Sequence, residues 1–266
     1  MREALALMRA SWLTASSYRL GMLMSLGGLI VTILPMYFVA GALQPVLADR
    51  ISNEGGDYFG FLVVGVLAFS FLSTAVNAVP GAIASGIATG TLEAMLSTRA
   101  RLGALIAGLV GYGFTWTAVR GALTIVMAVL LGVRLSAAHS GIAVVILALI
   151  VMAYFAIGLM AAAMVLAFRT TGPLPQVVLL LSGLLGGVYY PTSVIPSWIQ
   201  SLSSAVPLTY GLRALRRVWL DGVALREVVP DVLTLAGMAI GLLALGVTVF
   251  AIGMRYARRA GTLAQY

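Results

Sequence analysis

The 266-residue sequence contains no cysteine, so disulfides, thiol nucleophiles and thiolate metal sites are excluded. It contains no lysine either, and all 16 basic residues are arginine. The single histidine, His139, sits in a polar loop and cannot build a metal site alone. No GxxxxGK[ST] pattern is present, so the chain has no P-loop of its own. Charge is scarce: 9% of residues are charged, where a soluble domain carries about 25%. No paired acids, histidine dyad or metal set falls inside the apolar runs, which argues against an intramembrane enzyme. Repeated halves with charged midplane groups are missing too, which argues against a secondary transporter.

In place of charge the chain has apolar residues, 61% of the total, with mean hydropathy +1.07. This is the composition of an integral membrane protein. Residues 1–19 are not read as a signal peptide, because no small-residue cleavage site follows a short apolar stretch. Leu5, Met8, Trp12 and Ala15 share one face there, which predicts an interfacial helix. Six apolar segments follow, at about 20–47, 58–85, 104–133, 140–168, 174–189 and 232–254, each near or above the roughly 20 residues that cross hydrocarbon. The expected fold is therefore an all-α membrane protein with six transmembrane helices. Pro35, Pro45 and Pro80 should kink or end their helices. Gly103, Gly108, Gly111, Gly113, Gly183, Gly186 and Gly187 should let helices approach closely.

An even number of spans puts both termini on one side. With that side cytosolic, Arg2, Arg9, Arg19, Arg99, Arg101, Arg169, Arg255, Arg258 and Arg259 lie inside, with Glu3 and Glu93. Arg50, Arg134, Arg213, Arg216, Arg217 and Arg226 lie outside with six acids. The inner excess of arginine fits the positive-inside rule. The net charge of +8 does not point to nucleic acid, because the arginines are scattered through loops.

Three places carry more than composition. The first is 87–103, IATGTLEAMLSTRARLG, between spans two and three. Thr91 suits a helix N-cap and Glu93 the first turn. Leu92, Met95 and Leu96 share one face, while Glu93, Ser97 and Arg101 recur on another. Such a helix transmits force from a soluble partner or simply lies in the headgroups. The second is 190–222, where Pro191, Pro196 and Pro207 forbid a continuous helix and Trp198 and Ile199 are too apolar for a free loop. A re-entrant or interfacial cap is expected, followed by an amphipathic helix with Leu208, Leu212, Leu215 and Trp219 on one stripe and Arg213, Arg216 and Arg217 on other faces. Gly222 suits its stop. The third is Arg120, an ionisable group inside span three. A substrate contact and a structural ion pair both fit it.

Three stretches together resemble the ABC-2 type membrane subunit of ATP-binding-cassette exporters. They are GTLEAMLSTRARLG at 90–103, GGVYYPTSVIPSWIQSLSSAVPLTYGLRALR at 186–216, and GTLAQY at 261–266, with SYR at 17–19. Ile195-Pro196 stands where the family often has Leu-Pro, and Arg99 where it often has proline. The resemblance implies a single permease domain, 1–266, that is not itself an enzyme. ATP and Mg belong to a separate ABC ATPase subunit, present in two copies, and a second permease subunit completes a homodimer or heterodimer. It implies ATPase coupling through Gly90, Thr91, Leu92, Glu93, Leu96, Ser97, Arg99 and Arg101. It implies a translocation path or gate with Tyr189, Tyr190, Pro191, Pro196, Trp198, Pro207 and Tyr210, to which the intramembrane position adds Arg120. The expected function is export of a drug-like, lipid-like or other amphipathic substrate across the cell membrane. Export of a lipid-linked polysaccharide, and a membrane scaffold that binds an ATPase but moves nothing, are the alternatives.

Overall fold

The computed structural model describes residues 19–88, 102–168 and 172–259. The expected interfacial helix, nearly all of the 87–103 segment and the terminal GTLAQY therefore lie outside the described residues. Among the described residues the fold is all-helical, with no strand. Helices α1 (Arg19–Leu47), α2 (Tyr58–Ala88), α3 (Leu102–Leu130) and α4 (Ser140–Phe168) run alternately up and down. Then come α5 (Leu174–Leu185), α6 (Ser197–Ser203), α7 (Pro207–Trp219) and α8 (Leu225–Arg259). The connections 48–57, 131–139 and 186–224 gather at one end of the bundle, called here the loop-rich end.

Among the described residues, five helices are long and apolar enough to cross a membrane: α1, α2, α3, α4 and α8. The segment expected as a span over 174–189 is helical only as α5, 12 residues, or about 18 Å at 1.5 Å per residue. Apolar sequence continues past it, but Gly187 takes φ 76°, a left-handed conformation that turns the chain aside. The sixth segment is longer than expected. Helix α8 starts at Leu225, so Glu227 lies in its first turn, where a negative charge suits the dipole. The prolines do not end their helices: Pro35 and Pro45 lie within α1, and Pro80 within α2. Gly222 takes φ 67° after α7, the expected stop.

Helix α2 is the centre. It packs on α1, α3, α4, α5 and α7, while α4 packs on α2, α7 and α8. The start of α2 is fixed by Asp57, whose carboxylate accepts the Phe59 and Gly60 backbone N–H groups at 3.2 and 3.0 Å. The main apolar core joins α2, α4, α7 and α8 around Leu72, Ile146, Ile150, Leu208, Leu212 and Leu235. Lipid supplies little hydrophobic drive between spans, so close contact must hold them. Gly186, singled out from sequence, makes such a contact, since a Cβ there would sit 2.8 Å from the Leu208 side chain of α7; further close contacts fall at other glycines. A Cβ on Gly158 would sit 2.6 Å from the Ala75 carbonyl oxygen of α2. Gly246 and Gly253 of α8 meet Ala156 and Ala163 of α4, and both pairs are seven residues apart. Small residues at a seven-residue repeat let these two parallel helices pack backbone to backbone.

Candidate functional site

The loop-rich end is organised by Arg216. Helix α7 is amphipathic, starting at Pro207 in the first helical position. Its core face carries Leu208 and Leu212, and the next position on that i, i+4 row is Arg216. The expectation that Arg216 lies on another face is thus corrected: it is 2% exposed. Burying a lone charge is costly, so its N–H groups must all find acceptors. Nη1 donates to Glu54 Oε2 at 3.0 Å. Nε and Nη2 donate to the Phe61 carbonyl at 3.3 and 3.2 Å. Nη2 also donates to the carbonyls of Gly187 at 2.9 Å and Val188 at 3.3 Å. The guanidinium lies 3.3 Å from the Phe61 ring centroid, a cation–π contact. Burial lowers the Arg216 pKa to about 10, and the Glu54 carboxylate opposes that shift.

This clasp joins three distant stretches: the 48–57 connection through Glu54, the start of α2 through Phe61, and the chain after α5 through Gly187 and Val188. Tyr58 strengthens the joint, its hydroxyl donating to the Tyr189 carbonyl at 2.7 Å. Gly65 of α2 permits it, because a Cβ there would lie 3.0 Å from Arg216 Nη2 and would run into the Val188 carbonyl. Two further ion pairs tie α7 to the start of α8, Arg213–Asp231 at 3.3 Å and Arg217–Glu227 at 3.5 Å. Both are exposed in part and contribute little beside the buried pair.

The residues predicted for a path or gate divide into two places. Tyr189, Tyr190, Pro191, Pro196, Trp198, Pro207 and Tyr210 all lie in or beside the 186–210 stretch. Tyr190 donates its hydroxyl to the Leu184 carbonyl at 2.7 Å, and Tyr210 to the Ser204 carbonyl at 3.0 Å, so both rings pin local turns. Pro191 and Pro207 are buried and precede or open short helices. Trp198 and Tyr189 are exposed, at 69% and 47%, and Pro196 is exposed as well. Arg120 is elsewhere. It lines a cavity of about 270 Å³ between α1, α2 and α3. Arg120 is half-buried and its guanidinium has no hydrogen-bond or ion-pair partner among the described residues, so the structural ion pair weighed from sequence is absent among them. The coupling residues Gly90, Thr91, Leu92, Glu93, Leu96, Ser97, Arg99 and Arg101 lie outside the described residues. No cluster of three metal-ligating side chains occurs among the described residues.

Glu54, Phe61, Gly65 and Arg216 were not singled out by sequence reasoning. The i, i+4 row Leu208–Leu212–Arg216 was the available signal, because it places a charge in line with two core leucines.

Five apolar spans, a polar clasp at one end and no catalytic constellation among the described residues define a multi-pass membrane component. Residues 2–220 match the family model described as ABC-2 type transporter. The chain belongs to that family, the membrane part of an ATP-binding-cassette transporter, which associates with an ABC ATPase. No curated protein matches it.

Proposed function

We propose that the protein is the permease subunit of an ATP-driven exporter that moves a drug-like or lipid-like amphiphile outward. A separate ATPase subunit supplies the energy, two copies of it serving two permease subunits. The family match over residues 2–220, in a chain without a P-loop, is the observation that carries this reading. Both termini are cytosolic and the loop-rich end faces outward in this proposal, consistent with the arginine excess at the opposite end. The 87–103 segment then takes the push of the ATPase through Glu93, Ser97, Arg99 and Arg101, flanked by Gly90, Thr91, Leu92 and Leu96. The 190–222 stretch caps the path on the outer side and dips into the interface at Trp198. Exposed apolar residues on α5, Val177, Leu180, Leu181 and Leu184, suit the seam with the second permease, since 12 helical residues need protein shelter at membrane depth.

Reconstitution tests the reading. The permease with its companion ATPase in sealed vesicles should clear an amphiphilic fluorescent dye only when ATP and Mg are supplied on the ATPase side. Clearance without nucleotide, or failure of any ABC ATPase to co-purify in mild detergent, would refute it.

A further inference from the structure

The cavity between α1, α2 and α3 lies among membrane-spanning helices, well inside their ends. Arg120 lies in the apolar helix α3, Leu102–Leu130, ten residues from its end and eighteen from its start, about 15 and 27 Å at 1.5 Å per residue. Its α2 wall, Ser70, Ser73 and Thr74, lies midway along Tyr58–Ala88. A mid-span arginine normally faces a partner acid, carbonyl groups or water. Among the described residues no Asp or Glu lines this cavity. Most of its hydroxyls are already committed as donors. Ser70 donates to the Leu67 carbonyl at 2.7 Å, Thr124 to the Arg120 carbonyl at 2.9 Å, and Thr74 and Thr117 share a 2.7 Å hydrogen bond across α2 and α3. The donors left over are the Arg120 guanidinium and the Ser73 hydroxyl, which have no partner among the described residues. A fixed positive fork, a spare hydroxyl and no competing carboxylate select an anion. The volume admits a headgroup rather than a whole drug-sized molecule. Helix α1, whose span is 17% buried, leaves the rest of such a molecule free to lie along the bilayer.

We propose that this cavity binds the anionic headgroup of an amphiphile, a phosphate or carboxylate on an apolar body, gripped by Arg120 with Ser73 assisting. The proposal deepens the reading of Arg120 as a path residue. It is tested on the permease alone, so failure of ATP-driven transport and failure of this site are separate results.

The full chain is purified in dodecyl maltoside with phosphatidylglycerol, dodecyl phosphate or phosphatidylcholine added. Bound molecules are counted by native mass spectrometry. The wild type should retain an anionic probe at least tenfold better than phosphatidylcholine. Arg120→Gln should abolish that preference, Arg120→Lys should keep part of it, and Arg134→Gln, on the exposed turn after α3, should leave it intact. Should Arg120→Gln fail to fold, Ser73→Ala should still weaken anion retention severalfold. Retention of phosphatidylglycerol but not dodecyl phosphate marks a bilayer lipid as the occupant, and the reverse marks a single-chain cargo; both support the site. Equal anion retention by wild type and Arg120→Gln, or no anionic preference in the wild type, would overturn it.

Discussion

Glu54→Gln isolates the energetics of the Arg216 clasp. The substitution keeps the side chain's shape while leaving Arg216 charged, 2% exposed and without its counter-ion. Removing one partner of a buried pair costs about 3–5 kcal/mol. Three carbonyl oxygens would still receive the guanidinium, and Glu54 is itself 20% exposed. The lower end, about 3 kcal/mol, is therefore expected. Each kcal/mol moves the midpoint of a chain this long by about 2–4 °C, so the apparent Tm should fall by roughly 6–12 °C. Arg216→Met should cost at least as much, because the Gly187 and Val188 carbonyls lose their donor at about 1–3 kcal/mol each. In the double variant the two losses should not add, since Glu54 no longer has a charge to meet. A coupling of about 1–3 kcal/mol is expected. Thiol-reactive dyes give no signal on a chain without cysteine, so unfolding is followed by circular dichroism or by tryptophan emission. Trp219, buried on α7 three residues from Arg216, is a local reporter. Midpoints within about 2 °C of wild type for both single variants, with additive behaviour in the double, would show that water replaces the clasp at no cost and would refute the argument.

Other predictions follow from the packing and the proposed orientation. Gly158→Ala should lower the Tm by several degrees through overpacking of about 1–3 kcal/mol against the Ala75 carbonyl, while Gly237→Ala, with open space around it, should be neutral in the same melt. Single cysteines introduced by Arg50→Cys and Arg259→Cys should label with an impermeant maleimide from opposite sides of intact cells, Arg50→Cys from outside; the reverse pattern would invert the topology. Glu93→Ala or Arg101→Glu should leave insertion intact while uncoupling ATP hydrolysis from export in reconstituted vesicles, and wild-type transport in both would remove 87–103 from the coupling role.

The long helices were legible because a bilayer demands long apolar runs. Helix α4 runs over 140–168 as its sequence predicts, with a polar turn on one side and Arg169 on the other. Helix α2 begins at Tyr58 because Asp57 caps it. Legibility failed where apolarity and helicity part company. Residues 186–189 are as apolar as a span, but Gly187 turns the backbone, and Val188 is buried by α7 rather than by lipid. It failed in the opposite sense at the start of α8, where Arg226, Glu227 and Asp231 look like loop residues yet lie within a helix whose exposed turns meet α7. Arg216 and Arg120 exchanged roles for a related reason. Intramembrane position made Arg120 look like the buried charge, but burial depends on three-dimensional neighbours. Arg216 has Glu54, 162 residues away in sequence, which no local pattern connects to it.

The two arginines also divide the bundle mechanically. The Arg216 clasp binds α7 to the start of α2 and, through the ion pairs of Arg213 and Arg217, to α8, which is seamed along its length to α4. These four helices share one apolar core and so resist relative movement. Helices α1 and α3 contribute no fully buried residue to that core, and α3 meets it only through the partly buried Phe114 and Ile125. The Arg120 cavity lies along the boundary, where the Thr74–Thr117 hydrogen bond joins the rigid part to α3. Residues 89–101 connect the far ends of α2 and α3. If that segment takes the push proposed for it, the displacement falls between a clamped helix and a loosely held one, and it reaches Arg120 before it reaches the loop-rich end. A permease built this way would change its grip on a headgroup first and open its far end second. Time-resolved fluorescence from labels in the cavity and beside Trp198, after ATP is added to the reconstituted complex, should record the two changes in that order; simultaneous changes would mean that the clasp and the cavity move as one body.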